Sequence, residues 1–192
     1  MEPITIEERG TPQKITIEEI AELHAEIDEE ELKNGKLCIC VLCSFRAAQL
    51  AFSKLWHGDK EMPKRGDIKI ISALPTRGSQ ITFKYILGLD VKSEGSSDEF
   101  VLEIPRGTDK KNLTQENYVF TFIRKSTNDS VLVRVRPEIF LTGYFDLRKK
   151  VEHGIPREAT EEERERYEEW EREVRDKFLA FSEEELFICE TC

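Results

Sequence analysis

The chain has 192 residues, of which 39% are hydrophobic and 35% charged, and its formal net charge is −10. This length fits one compact domain with an appendage, and no apolar run reaches the roughly 18 residues of a membrane span. The acidic balance argues against general nucleic-acid binding, which rests on Lys and Arg neutralising phosphates.

Taken in chain order, Met1-Glu2-Pro3-Ile4 lacks the basic and apolar regions of a signal peptide, which makes the cytoplasm the expected location. Residues 1–15 are polar and Pro-containing and read as a loose arm. Thr16-Ile17-Glu18-Glu19 is a capping box, and the helix after it presents Ile20, Leu23 and Ile27 at helical spacing. Asn34-Gly35 marks a turn. The apolar, Ala-rich segment from Leu37 to Trp56 predicts a central buried helix that Gly58 ends.

A strand is expected at Ile68–Ile71, then a polar loop at Pro75–Ser79 and a short helix from Gln80 to Leu87. Phe100–Ile104 reads as another strand. Tyr118–Arg124 and Val131–Arg136 flank the turn sequence Ser126-Thr127-Asn128-Asp129, which predicts a β-hairpin. A helix near Asp146–Glu152 follows, closed by Gly154. A second capping box at Thr160–Glu163 opens a long amphipathic helix with the stripe Tyr167, Trp170, Val174 and Phe178. Ser182 caps a final turn before a Cys tail at 188–192. The expected class is α+β: a mixed or antiparallel sheet, a central buried helix and a long C-terminal helix, with one domain over residues 16–187.

The five cysteines carry the most specific signal. Cys38, Cys40 and Cys43 have the spacing Cys-x-Cys-x2-Cys at the start of a helix, and Cys189-x2-Cys192 closes the chain. Thiolates are the soft ligands that zinc and iron–sulfur clusters prefer. On a helix Cys40 and Cys43 share a face, and Cys38 approaches from the preceding loop. A helix N-terminus also makes a thiol a better ligand or nucleophile. The terminal pair, expected on a mobile tail, can complete a four-thiolate site with the first cluster or meet its counterpart from a second copy of the chain. Core packing is the competing reading, because Cys is among the most often buried residues. His24, His57 and His153 stand at no metal-ligand spacing and read as structural or surface residues. Arg77 and Ser79, between a strand end and a helix N-terminus, are a lesser candidate for binding an anionic cofactor.

From Asn34 to Ala48 the sequence resembles the FmdE-like family, named for a component of formylmethanofuran dehydrogenase. That family opens with His-Gly-His-x-Cys-Pro-Gly, an apolar pair and an aromatic-Arg-Ala-Ala stretch. Gly35, Leu37, Cys38, Phe45, Arg46 and the alanines fit without a gap. Similarity resumes at Tyr118–Phe140, at Lys150-Val151 and at Ser182–Phe187. Asn34 and Lys36 stand where the family has histidines, and Ile39-Cys40 replaces its Pro-Gly. The stretch Leu74–Gln80 lacks the Cys and Asp of the family's second segment. The resemblance implies an α+β core, a homodimer and a metal near Cys38, with Cys40 and Cys43 added by this sequence. Three functions are therefore expected in order: a thiolate metal protein with zinc or an iron–sulfur cluster, an accessory module partnering a redox complex, and a thiol-exchange or sulfur-transfer protein.

Overall fold

The computed structural model describes residues 1–27, 37–58 and 61–191. In chain order these form strands β1 (Ile4–Glu8) and β2 (Thr11–Ile15), helices α1 (Ile17–Ile27) and α2 (Ile39–Leu55), strand β3 (Ile68–Ser72) and helix α3 (Arg77–Leu87). They continue with β4 (Phe100–Leu102), β5 (Val119–Arg124), β6 (Asp129–Val135), α4 (Tyr144–His153), α5 (Glu161–Ala180), α6 (Glu183–Leu186) and β7 (Phe187–Thr191). The class is α+β. One sheet is mixed, in the order β4-β3-β5-β6-β7, with β3 and β4 parallel and the other pairs antiparallel. Among the described residues no helix is long and apolar enough to cross a membrane.

The sheet's inner face is set by strict alternation. Phe120 and Phe122 on β5 and Val131, Val133 and Val135 on β6 are buried, while the residues between them are more exposed. Onto this face pack α2 and α3. Phe83 of α3 meets the rings of Phe100, Phe120 and Phe122, and Phe52 of α2 meets Phe122 edge-on. Helix α2 is apolar on nearly every side because α1, α3, α5 and the sheet all pack against it. Gly58, with φ of +78°, turns the chain just beyond its end, as expected from the sequence.

Helix α5 buries Tyr167, Val174 and Phe178 from the expected stripe against the core. Two arginines fix it to α2 and the chain just before it: Arg46 donates to the Phe178 and Phe181 carbonyls at 2.9 Å, and Arg175 Nε donates to Leu37 O at 2.8 Å.

Both chain ends differ from the expectation. Residues 4–15 are a β-hairpin rather than a loose arm, with Ile4, Ile6 and Ile15 buried in the core. Its turn is Arg9-Gly10, both at positive φ, the backbone of a two-residue hairpin loop; Arg at the first position hides the signal. The segment expected as a mobile tail is β7, paired with β6 over Val131–Val135, with Cys189 opposite Val133. Pairing of every residue from Phe187 to Thr191 and burial of Phe187 against Phe178 hold it in place. Helix α3 also begins earlier than expected, at Arg77, which puts residues 77–79 in its first turn. The Asn34-Gly35 turn and Cys192 lie outside the described residues.

Candidate functional site

Cys38 is the residue before the first turn of α2, in extended conformation with φ −64° and ψ 132°. Neither it nor Thr76, the equivalent residue of α3, caps its helix through its side chain. Both helices start at the same end of the sheet, and their first turns touch. Ser44 Oγ donates to Ser79 Oγ at 3.0 Å in the buried interior. Gly78 allows the closer approach: a Cβ placed on it meets Val41 Cγ2 at 3.0 Å, Cys38 Sγ at 3.4 Å and His24 Nε2 at 3.4 Å. The thiol of Cys38 and the imidazole of His24, from α1, thus flank one point and are separated by at most twice that distance. His24 is buried and Cys38 half-buried.

The other cysteines face elsewhere. Cys43 is fully buried in the core, where burial first and Cys40 second push its thiol well above the ordinary range. A metal ligand or nucleophile needs the thiolate, so this position disfavours both roles. Cys40, one turn before it, acts electrostatically on the buried hydroxyls of Tyr118 and Tyr144. Cys189 lies on β7, and burial raises its pKa against a smaller opposing effect of Lys54. Lys54 stands about 24 Å further along α2 than Cys38 at the helical rise per residue. Among the described residues no group of three or more His, Cys, Asp or Glu is placed to hold a metal ion. Cys38, Cys40, Cys43 and Cys189 therefore do not converge as a thiolate cluster, and the zinc or iron–sulfur site built from them alone has no counterpart among the described residues.

The lesser candidates are engaged in the fold. Arg77 donates to Ser93 O and Lys92 O at 3.0 Å, tying the loop after α3 to its first turn. Lys84 donates to the same Ser93 carbonyl at 2.9 Å, and Gln80 accepts from the Gly95 N–H at 3.0 Å. Ser79 is buried and bonded to Ser44. Arg77 is thus held by the loop after α3 and Ser79 by the contact with α2.

His24 is the site residue that the sequence hides, whereas Thr76 belongs to the polar segment Thr76–Ser79 already singled out there as a lesser anion-binding candidate. No spacing links His24 to Cys38. What fold and site define is an α+β protein with a cysteine–histidine pair where the starts of α2 and α3 meet the last turn of α1. No family model matches this chain and no curated protein matches it, so the resemblance to the FmdE-like family rests on the motif residues alone.

Proposed function

We propose that this chain is a cytoplasmic thiol protein that carries a transferable group on Cys38, with His24 taking the thiol proton. The observation that supports it is the placing of Cys38 Sγ and His24 Nε2 around Gly78. The N–H groups and dipole at the start of α2 favour negative charge on a side chain at that position. A base able to approach a thiol is the common arrangement for an activated nucleophile, and the two atoms here lie on opposite sides of one point, each 3.4 Å from it. Cys38 is also the half-buried member of the pair, as attack on an incoming group requires.

The test is limited labelling of the native protein with iodoacetamide, followed by peptide mapping. Cys38 is expected to react first among the cysteines, and His24→Gln to slow it at least tenfold without unfolding the chain. Equal labelling of Cys38 and Cys189, or no effect of His24→Gln, overturns the proposal.

The second reading is metal binding, favoured by the same juxtaposition together with the family resemblance. Cys38 and His24 would be two ligands of a zinc ion or part of an iron–sulfur site, and the rest would come from outside the described residues. Metal and sulfide content of anaerobically purified protein, wild type beside Cys38→Ser, decides it. Sedimentation of the same sample tests the expected homodimer, and co-purification tests a redox-complex partner.

A further inference from the structure

The geometry points to an oxygen-holding pocket beside Cys38, formed by the first turns of α2 and α3 and the Thr76 hydroxyl, that receives the carbonyl oxygen of a thioester. This rests on Cys38 being the nucleophile. Helix α3 has eleven residues and α2 seventeen, and each leaves its first N–H groups without an intrahelical acceptor. The first intrahelical bonds run from the Leu42 amide to Cys38 O at 3.0 Å and from the Gln80 amide to Thr76 O at 3.2 Å. The amides of Ile39 and Val41 on one side and of Arg77, Gly78 and Ser79 on the other precede them, with no side-chain cap on either helix.

Thr76 adds the independent observation. It is only 9% exposed, and its hydroxyl has no hydrogen-bond partner among the described residues. A buried hydroxyl left without a partner costs about 1–3 kcal/mol, so a threonine kept there calls for a ligand atom to bond. A Cβ placed on Gly78, two residues on, would lie 3.4 Å from both Cys38 Sγ and His24 Nε2, which places this donor at the same end of α3 as the thiol.

Hydroxyl and amide donors hold oxygen. A disulfide or persulfide substrate has no oxygen to offer them, whereas a carbonyl under attack develops negative charge on its oxygen. The net charge of −10 opposes the approach of an anionic ligand. A neutral thioester avoids that repulsion and becomes anionic only in the transition state. In the step, Cys38 sulfur bonds to the carbonyl carbon and the carbon–sulfur bond of the thioester breaks. The proton that His24 took from Cys38 passes to the leaving thiolate. The products are S-acyl-Cys38 and a free thiol, with no oxidant or reductant consumed.

The probe is the acetyl thioester of a small neutral thiol, incubated with the full chain and followed by intact-mass and peptide analysis. Wild type is expected to gain one acetyl group on Cys38, and Cys38→Ser none there. Thr76→Val, nearly equal in shape, is expected to slow acetylation on the order of 10²-fold, while Thr76→Ser stays within severalfold of wild type. Iodoacetamide labelling of Cys38, which needs no oxygen-holding donor, should be the same in all the Thr76 variants. Normal alkylation with acetylation unchanged in Thr76→Val, or with no acetylation of wild type, overturns the pocket and leaves the thiol reading standing. Failure of Cys38 to alkylate selectively overturns both.

Discussion

His24 and Cys38 lie on either side of Gly78, their Nε2 and Sγ atoms each 3.4 Å from the position that a Cβ on this glycine would take. The missing side chain is what lets α3 close over the start of α2 while the imidazole stays beside the thiol. Gly78→Ala drives a methyl to 3.0 Å from Val41 Cγ2. Overpacking of this kind costs about 1–3 kcal/mol. Better helix propensity returns up to about 1 kcal/mol. The expected result is a protein less stable by on the order of 1 kcal/mol in urea, with slower alkylation of Cys38 because Val41 must yield and the space beside the thiol is filled. A variant as stable and reactive as wild type contradicts the close packing.

The N-terminal hairpin gives a second prediction. Ile6 is fully buried between its neighbours on β1 and the core. Truncating a buried isoleucine to alanine costs about 2–5 kcal/mol through lost transfer energy and the cavity left behind. Ile6→Ala is therefore expected to lower the urea midpoint clearly, whereas exposed Thr5→Ala should change it by less than about 0.5 kcal/mol. Equal effects at the two positions would return residues 4–15 to the status of a loose arm.

The contrast between these two regions explains how far the sequence can be read. Periodicity with a cap or turn of standard residues locates the β5–β6 hairpin and α5, and an unbroken apolar, Ala-rich run locates α2. The capping boxes at Thr16, Thr160 and Ser182 all form. Short strands at the chain ends escape, since Ile4-Thr5-Ile6 is too brief an alternation and Arg9 masks the turn. Of the candidate site, Cys38 is legible as the start of a helix. Its partner is not, because His24 reaches it through tertiary packing of α1 on α3, which leaves no trace in spacing. Cys43 matches a ligand pattern equally well, yet its helix face turns it into the core.

Strand β7 makes a third prediction. Phe187 is buried and packs on Phe178 with ring centroids 6.3 Å apart. Phe187→Ala is expected to cost about 3–5 kcal/mol. Since Cys189 is paired opposite Val133, mild oxidation of the native protein should give no Cys38–Cys189 disulfide within one chain. Non-reducing peptide mapping checks this, and recovery of that crosslink from native protein would mean that β7 leaves the sheet.

The fourth prediction concerns pH and the contact of α4 with α5. Tyr167 donates to Glu152 across the contact and to Glu171 at 3.3 Å, so two carboxylates share one buried hydroxyl. Arg148 pairs with Glu152 at 2.5 Å and Arg175 with Glu171 at 3.7 Å; His153 lies 3.7 Å from Glu152, and Tyr144 also faces Glu171. Burial raises the Glu171 pKa above the ordinary carboxylate value, with Arg175 opposing and Glu152 adding to the rise. A folded-state pKa above the unfolded one means that the proton is held more tightly in the folded protein. The stability this gives is complete below the unfolded pKa, about 4.3, and is lost as pH rises through the folded value. At pH 8 the ionised Glu171 therefore weakens the fold, and Glu171→Gln is expected to raise the urea midpoint there. Toward pH 4 wild type recovers its proton and the difference between the two proteins should shrink. Urea unfolding of both at the two pH values checks it. A glutamine variant less stable at pH 8, or a gap that does not change with pH, would show that the Arg175 pair outweighs the burial of the carboxylate.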